Sequence, residues 1–420
     1  MSDHAESRGR RWVVLLLCWA SFTMTSADRS AWGPASAEAG AALGVSLAGL
    51  GAFATAYYAG YVVASAFGGV LADRLGGRAV LSGSLFVAGA FMVLFGSSPS
   101  AGAGLALQAL IGLFAGADYA AGVKLVTAWF GERRRGTVVG VFLTATSIGT
   151  VLANAVVPRM IEWYDWRASY HLFGGVSMAL AVLCLLLVRD GASEGRAAWP
   201  DPRPLLADRD LLLLGLAGFG GLWGTYGFVT WSNTLMVKGG GVDPVTAGGV
   251  VVLFGIVAVA GKPLVGLVTD LLGRGRKVPA SVVLLYFALA LLVFGTMDSA
   301  AGFLVVAPLL GLGAYLYSPL MVAMVPGLSG ERLTGSAAGA TNALWQLGSV
   351  TVPLVIGAVF QATGSFPAAF AALAAGPLVG AVLMAFVREG GREGGREGGR
   401  AGHREERREE PSVKANRGIG

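Results

Sequence analysis

The sequence predicts an all-α integral membrane protein with twelve transmembrane helices in two pseudo-symmetric six-helix bundles. The composition is the first observation: 55% of the 420 residues are hydrophobic and only 13% are charged, roughly half the charged fraction of an average soluble domain. Apolar runs of about 18 residues or more then recur along the chain, and each can cross roughly 30 Å of hydrocarbon as a helix. One long polar break near the middle divides these runs into six and six.

The apolar runs are separated by short polar turns and are rich in small residues, because the chain contains 65 glycines. Small side chains allow membrane helices to pack closely against each other. The predicted spans are residues 12–38, 45–72, 79–97, 102–128, 137–160, 168–189, 211–237, 244–269, 279–297, 301–326, 334–361 and 366–388.

The segments around these spans predict the organisation of the chain. Residues 1–11 form a cytoplasmic amino-terminal segment, 12–189 the first bundle, 190–210 a linker, 211–388 the second bundle and 389–420 a tail. The linker carries Gly, Pro and alternating charge, which is typical of a loop. The tail repeats Arg-Glu-Gly-Gly, a composition that cannot bury enough apolar surface to fold. We therefore expect a disordered, charged cytoplasmic tail.

Basic residues concentrate on the side of the predicted topology that carries the amino terminus. They are Arg8, Arg10, Arg11, Arg74, Arg78, Arg133, Arg134, Arg135, Arg203, Arg209, Arg274, Arg276 and Lys277. The opposite loops hold little beyond Arg167 and Lys238. Because positive residues flank membrane spans on the cytoplasmic side, the bias predicts a multi-pass protein of the cell membrane with both termini in the cytoplasm.

A short motif occurs once in each half, at equivalent turns after the second and the eighth predicted span. The two copies are Gly69-Val-Leu-Ala-Asp73-Arg74-Leu-Gly76-Gly77-Arg78 and Gly266-Leu-Val-Thr-Asp270-Leu-Leu-Gly273-Arg274. The repeated pattern Gly-x-x-x-Asp-x-x-Gly-Arg resembles the signature loop of the major facilitator superfamily. The resemblance covers the chain from Arg11 to about Arg388.

This resemblance implies two six-helix bundles that rock about a central site, each built from inverted three-helix repeats. It also implies that the motif glycines permit close helix packing. Asp73 and Asp270 would each face a helix amino terminus in the other half, where the positive dipole end favours a carboxylate. Together with the motif arginines they would latch the cytoplasmic side when the carrier opens outward. We expect a secondary carrier that works by alternating access in the lipid bilayer, as a monomer.

Five charged residues lie inside the predicted spans, away from the membrane borders. They are Asp28, Arg29, Asp118, Lys124 and Lys262. Each costs about 2.5–3.5 kcal/mol near the middle of a membrane, so such a residue usually faces a cavity and has a function. Lys124 is the exception, because it is close to the cytoplasmic end of its span and its long stem is expected to reach the interface.

The adjacent residues Asp28 and Arg29 lie well inside the first span. The surrounding stretch resembles the first helix of the anion:cation symporter family, and Tyr61 in the second span agrees with it. The resemblance implies that Arg29 grips the carboxylate of an organic anion beside Tyr61, while Asp28 takes part in proton coupling. Arginine suits this role because its planar guanidinium binds carboxylate or phosphate through two hydrogen bonds. The alternative is a purely structural ion pair between helices.

The fourth span keeps the frame of that family but loses two of its charges. The family pattern is Arg-x-x-x-Gly-x-x-Glu, and the matching positions here are Gln108, Gly112 and Ala115. Asp118 lies three residues later, about one turn along the helix and roughly 60° around it. We therefore expect its carboxylate to reach the same cavity and to replace the missing Glu as a protonatable group.

The eighth span contains Gly261-Lys262-Pro263 before the second motif. This resembles the Gly-Arg-Pro pattern of oxalate–formate antiporters and monocarboxylate carriers, with Lys in place of Arg. The resemblance implies that Lys262 meets the substrate carboxylate from the second half, although Lys lacks the two-pronged geometry of Arg. The alternative is packing against the cytoplasmic gate.

Uncharged polar residues complete the set of candidates. Asn342 and Gln346 share one face of the eleventh span, which otherwise lacks charge, and we expect them to contact the substrate. Tyr226 in the seventh span and Tyr315 in the tenth lie on aromatic stripes that are more typical of packing between helices.

Several function classes are excluded by what the sequence lacks. It has no nucleotide-binding loop, no nucleophile elbow and no metal-ligand spacing, so we expect neither an enzyme nor a cofactor nor a metal. The two cysteines lie in apolar runs, and the net charge of +6 lies at membrane borders and in the tail, which argues against nucleic acid.

The candidate residues predict a carrier for a small organic anion, a carboxylate, that moves together with a proton. With Lys124 included, the cations inside the spans (Arg29, Lys262 and Lys124) outnumber the anions (Asp28 and Asp118), and an anionic solute would balance the excess. Three alternatives remain: a carrier of nitrate, phosphate or sugar phosphate; an exporter of lipophilic or cationic drugs; and a transporter-like sensor that binds a ligand without net transport.

Overall fold

The computed structural model describes residues 2–130, 132–190, 208–272, 275–329 and 334–388, which form fifteen helices and no strand. The first half contains α1 (Ser2–Ala42), α2 (Leu47–Leu75), α3 (Gly77–Gly96), α4 (Ala101–Ala115), α5 (Asp118–Trp129), α6 (Glu132–Leu143), α7 (Ala145–Trp163) and α8 (Trp166–Leu187). The second half contains α9 (Arg209–Gly240), α10 (Pro244–Leu272), α11 (Lys277–Gly295), α12 (Ala300–Val322), α13 (Val325–Ser329), α14 (Thr334–Thr363) and α15 (Phe366–Phe386). Most of the predicted linker and all of the predicted tail lie outside the described residues.

The twelve predicted spans all coincide with helices. Eleven helical stretches of the described residues are long and apolar enough to cross a membrane. The one remaining predicted span, the first in the chain, is α1, which at 41 residues is long enough to cross a membrane. It is less apolar than the others because Asp28 and Arg29 interrupt its hydrophobic stretch. The predicted all-α membrane fold is confirmed.

The two halves repeat the same packing pattern, which is the physical meaning of their pseudo-symmetry. In the first half the most extensive contacts join α1 with α7, α3 with α8, and α2 with α4. The equivalent pairs in the second half are α9 with α14, α11 with α15, and α10 with α12. Between the halves, α2 packs on α14 and α7 packs on α10. These two contacts are equivalent to each other, because α2 corresponds to α10 and α14 corresponds to α7 in the repeat.

Three predicted spans are interrupted rather than continuous. The fourth breaks at residues 116–117, the fifth at Thr144, and the tenth at residues 323–324. Backbone groups freed inside a membrane protein need another partner. At the second break the Trp19 side chain donates to Thr144 Oγ1 at 3.0 Å, and that hydroxyl donates to the Val141 carbonyl at 2.7 Å. Polar side chains therefore supply hydrogen bonds at the interruption of the fifth span.

We call the membrane side on which α1 begins the near side, and the opposite side the far side. All six helices that begin on the far side, namely α2, α4, α8, α10, α12 and α15, follow a capping Ser or Asp. The capping residues are Ser46, Ser100, Asp165, Asp243, Ser299 and Ser365. Each side chain accepts a hydrogen bond from the first-turn backbone, which stabilises the helix start. At Asp243, hydrogen bonds from the Thr246 side chain and backbone also lower the pKa of the carboxyl.

The two halves are in direct contact on the far side. Ser36 of α1 hydrogen-bonds Thr234 of α9 at 2.6 Å, and Asn233 donates to Asn154 of α7 at 2.8 Å. Glycines bring the backbones together: a Cβ on Gly33 would lie 2.5 Å from the Val229 carbonyl oxygen, closer than real side chains approach. The far side of the molecule is therefore closed in this structure.

We expect Gly51→Leu to prevent this closure and to reduce the transport rate at least tenfold. Any side chain at Gly51 would overlap the Pro353 carbonyl of the other half, so the far sides would be held apart. A cysteine introduced by Ser36→Cys in a cysteine-free background should then react faster with a membrane-impermeant thiol reagent. Gly102→Leu is the matched control, because a Cβ at Gly102 meets nothing within 4 Å. Unchanged labelling and transport in Gly51→Leu would contradict the far-side contact.

Candidate functional site

Arg29 lies half-buried in α1, between aromatic rings of both halves. Its guanidinium carbon is 5.5 Å from the centre of the Tyr61 ring on α2 and 4.9 Å from that of Tyr226 on α9. Such cation–π contacts hold a cation without neutralising it. In the described part of the chain, no carboxylate is within ion-pair distance of Arg29, and its Nε has no hydrogen-bond partner. The guanidinium is positioned, but its charge is not compensated.

Lys262 of α10 brings a second positive charge to the same region from the other half. Its ammonium donates to Thr146 Oγ1 at 2.9 Å and to Ser147 Oγ at 3.1 Å, both on α7. It also lies 4.7 Å from the centre of the Tyr315 ring on α12. Lys262 and Arg29 are close enough for their positive charges to repel each other. Hydroxyl groups and a ring therefore hold this second cation near the first.

We call Arg29, Tyr61, Tyr226, Lys262 and Tyr315 the central site. The first two come from the first half and the other three from the second, so a solute bound there would contact both halves. Two positive charges in a mostly buried place need an anion to compensate them, because buried unpaired charge is costly. A guanidinium can bind a carboxylate through two parallel hydrogen bonds, and an ammonium adds a point charge. The arrangement can hold an anion with two negatively charged ends.

Asp28 points away from the central site into the first half. Successive residues of a helix are about 100° apart, and the Asp28 side chain is only 4% exposed. Neither of its carboxylate oxygens has a hydrogen-bond partner among the residues that the structure describes. Ser177 of α8 and Tyr57 of α2 lie beside it. Because neither Asp28 nor Arg29 forms an ion pair with a described residue, the structure contradicts the alternative of a structural ion pair.

Asp118 is fully buried and faces α1, where Ser21 and Thr25 donate hydrogen bonds of 2.7 and 3.1 Å to its two oxygens. The sequence predicted that this carboxylate reaches the cavity, whereas both of its hydrogen-bond partners lie on α1. Asp118 is the first residue of α5, just after the boundary with α4 at residues 116–117. Asp118 therefore lies in the interior of the first half, near enough to Asp28 for an electrostatic interaction.

The fold and the central site can now be compared with known proteins. The family model for the Major Facilitator Superfamily matches residues 17–353 and, in a second match, residues 241–417. The chain belongs to this superfamily. Its members are transporters, and the expectation that the chain is not an enzyme is confirmed.

Two relatives in the superfamily are similar over most of the chain. A probable galactarate/D-glucarate transporter of Bacillus subtilis is 26% identical over 397 residues, which cover 85% of this chain and 87% of that protein. A probable nitrate/nitrite transporter of Mycobacterium tuberculosis is 30% identical over 308 residues, which cover 70% of this chain and 75% of that protein. Among solved structures, a bacterial homologue of the human lysosomal transporter Spinster, inward-facing and occupied, superposes with a TM-score of 0.71. That match has 14% identity and covers 90% of this chain and 95% of the other.

The superfamily's signature loop joins α2 to α3 on the near side. Gly76 has a φ of +88°, a conformation that glycine adopts readily and other residues avoid. A Cβ at Gly76 would also lie 3.0 Å from the Asp190 carboxylate. That carboxylate accepts a 2.9 Å hydrogen bond from the Arg78 backbone N–H. The glycine and Arg78 of the loop are therefore packed against the end of the first half, while Gly69 is half-buried and Arg74 is exposed.

Asp73 of this loop forms an ion pair with Lys124 of α5, with Nζ and Oδ1 2.7 Å apart. The same ammonium donates to the Ala72 carbonyl at 2.9 Å. Lys124 thus turns onto the carboxyl end of α2 on the near side, where a cation is favoured, which agrees with the expectation that its long stem reaches the interface. The resemblance implied a partner for Asp73 in the other half, whereas the ion pair found here lies within the first half.

The remaining predicted residues are not gathered at the central site. Gly266 and Asp270 belong to α10, but their surroundings lie outside the described part of the chain. Gly273 and Arg274 lie outside it altogether. On α14, Asn342 is exposed, and Gln346 is buried and accepts a hydrogen bond from Ser349 at 3.4 Å between side chains. In the described residues, no hydrogen bond links Asn342 or Gln346 to Arg29 or Lys262, and no group of side chains could hold a metal ion.

Four contact residues were not predicted from the sequence. Tyr226 and Tyr315 were interpreted as packing residues, although they contact Arg29 and Lys262. The sequence signal that could have identified these two tyrosines is their place on aromatic stripes, which can face charged residues of other spans. Thr146 and Ser147 carried no signal, because small hydroxyl residues are common in membrane helices and only the fold brings them to Lys262.

Proposed function

We propose that this chain transports a small organic carboxylate of the sugar-acid kind across the cell membrane, together with a proton. The observation that carries the proposal is the pair of uncompensated cations at the central site. Arg29 has no carboxylate partner in the described chain, and the hydrogen bonds of Lys262 go to hydroxyl groups. An anionic solute supplies the missing negative charge.

A dicarboxylate satisfies this site better than an anion with a single charge. Arg29 would bind one carboxylate through its planar guanidinium, and Lys262 would bind the other from the opposite half. Galactarate and D-glucarate are named for the similar Bacillus subtilis protein, and both carry a carboxylate at each end. The tyrosine rings at the central site would contact the carbon chain between them. Binding to both halves at once also gives the solute a way to influence their relative position.

We assign proton coupling to Asp28 and Asp118. Both carboxyl groups are buried in the first half, and Asp28 has no hydrogen-bond partner within the described residues. A proton removes the charge of a carboxylate that nothing compensates, and its release restores a negative charge near Arg29. The occupancy of the central site by an anion and the protonation of these groups are therefore linked through electrostatic interaction. The motifs at Asp73 and Asp270 would gate the near side.

The near side is proposed to be cytoplasmic, because the basic residues of the turns concentrate there. With the far side closed, we propose an inward-facing state for this structure, the state that is described for the similar Spinster homologue. We propose that the carrier works as a monomer, because the residues of the central site come from the two halves of a single chain. Asn342 and Gln346 on α14 would reach a substrate only when the halves move.

Nitrate is the second candidate, because the similar Mycobacterium tuberculosis protein is described as a probable nitrate/nitrite transporter. Nitrate is a compact anion with a single charge, so it would compensate only one of the two cations. The central site as built therefore favours the dicarboxylate. Drug export is not favoured, because a cationic drug would be repelled by Arg29 and Lys262.

Uptake by proteoliposomes that contain the full chain would test the proposal. We expect uptake of D-glucarate and galactarate, and a gradient of one pH unit, inside alkaline, should raise their accumulation by up to about tenfold per coupled proton. Nitrate should neither accumulate nor compete. Competition by nitrate at concentrations similar to those of D-glucarate would support the second candidate instead. No uptake of either dicarboxylate would contradict the proposed substrate class.

A further inference from the structure

The ammonium of Lys262 is held by two hydroxyl groups and an aromatic ring. A lysine ammonium carries three N–H groups, and two of them are directed to Thr146 Oγ1 and Ser147 Oγ, at 2.9 and 3.1 Å. In the described residues no oxygen atom accepts from the third, and the Tyr315 ring lies 4.7 Å from the ammonium. The ammonium is therefore held by neutral groups only.

The two hydroxyl groups lie in the first turn of α7, directly after the interruption of the fifth span between α6 and α7. Thr146 Oγ1 donates at 3.0 Å to the Leu143 carbonyl, which lies before the break. The neighbouring helices are in close contact, because a Cβ on Gly255 of α10 would lie 2.8 Å from the Val151 side chain of α7. Lys262 of the second half thus binds the first turn of α7, directly after the interruption of the fifth span.

This tie differs from the other hydrogen bonds between the halves. Two other bonds between the halves, Ser36 with Thr234 and Asn233 with Asn154, lie toward the far side and join neutral groups. The bond of Lys262 is made by an ion, and ions exchange neutral acceptors for charged ones readily. A carboxylate offers the ammonium a full negative charge in addition to the hydrogen bond, whereas a hydroxyl group offers only a dipole.

We propose that Thr146 and Ser147 are internal substitutes for the substrate carboxylate. In the empty carrier they hold Lys262 against the break of the fifth span, and an arriving carboxylate takes the ammonium from them. Substrate binding therefore releases a tie between the halves, and loss of substrate restores it. This inference rests on the proposed function, because it needs a carboxylate at the central site.

The proposal makes the hydroxyl groups competitors of the substrate. Their removal leaves the ammonium of the empty carrier without acceptors, an unfavourable state that substrate relieves. The Thr146→Val/Ser147→Ala variant should therefore bind D-glucarate about fivefold more tightly than the wild type, as measured by calorimetry on the full chain in nanodiscs. In a Lys262→Met background the same two substitutions should change the affinity less than about twofold. Two residues with a merely structural role would weaken binding or leave it unchanged.

Thr127→Val is the matched control, because among the described residues that hydroxyl bonds only carbonyls of its own helix, at Val123 and Lys124, and the affinity should not change. If the double variant does not fold, the single variants Thr146→Val and Ser147→Ala should each tighten binding about twofold. Unchanged or weaker binding by the folded variants overturns the inference alone. A gain in affinity that persists with Lys262→Met also overturns it. If the wild type binds neither D-glucarate nor galactarate, the proposed function and this inference are both overturned.

Discussion

Arg29→Ala is expected to weaken the binding of D-glucarate more than a hundredfold and to abolish its transport. Removal of one member of a buried hydrogen-bonded charge pair costs about 2–5 kcal/mol, and each 1.4 kcal/mol is a factor of about ten in affinity. The side chains in contact with Arg29 are tyrosine rings, and the other cation of the central site, Lys262, is assigned to the second carboxylate. Arg29→Lys keeps the charge but loses the two-pronged geometry, so about a tenfold loss is expected. Binding would be measured by calorimetry on protein in nanodiscs.

Arg159→Ala is the matched control for this experiment. Arg159 lies exposed on α7 and donates to a carbonyl of its own helix, at Ala155, so its removal changes the net charge by the same amount. We expect its affinity for D-glucarate to remain within about twofold of the wild type. Wild-type affinity in folded Arg29→Ala would show that the anion does not bind at the central site.

Asp118→Asn is expected to retain exchange of labelled for unlabelled D-glucarate but to lose accumulation driven by a proton gradient. Asparagine has nearly the same shape as aspartate and keeps one oxygen that can accept from Ser21 or Thr25, so the packing against α1 should survive. It cannot take up or release a proton. The accumulation ratio at a gradient of one pH unit should fall from about tenfold to about one. Counterflow and gradient-driven uptake in the same proteoliposomes would measure both properties.

The second buried carboxylate provides the comparison. Asp28→Asn should also lose accumulation, and because Asp28 is adjacent to Arg29 we expect it to change the affinity for substrate as well. Asp210→Asn is the control, since that carboxylate accepts from the backbone of Arg388 at the near-side end of α9. Full proton-driven accumulation by Asp118→Asn would contradict the assignment of coupling to this residue.

The sequence was sufficient to predict where the helices lie in this protein and that its two halves repeat the same arrangement. The reason is that a membrane requires uninterrupted apolar stretches of a minimum length, and the turns between them are marked by polar residues. The positions of Arg29 and Lys262 were also predictable as functional candidates, because the cost of a charge in a membrane makes each one conspicuous. Their selection required no knowledge of the neighbours.

The direction of the side chains was not predictable in the same way. Asp118 was expected to face the cavity, and its carboxylate binds Ser21 and Thr25 of α1 instead. Lys124 was expected to reach the interface, but the sequence did not show that its partners there would be Asp73 and the carboxyl end of α2. Both outcomes depend on which helix lies next to which, and periodicity along one helix does not contain that information.

The sequence by itself determined that this is a twelve-span membrane protein with two similar halves and a few costly charges inside them. Only the tertiary structure decided which charges are uncompensated: Arg29 between Tyr61 and Tyr226, and Lys262 on the hydroxyl groups of α7. The physical reason is the difference between properties of one segment and contacts between segments. Hydropathy acts on each segment separately, whereas compensation of a charge requires an oppositely charged or hydrogen-bonding group within a few ångströms, brought there from another helix or from the other half.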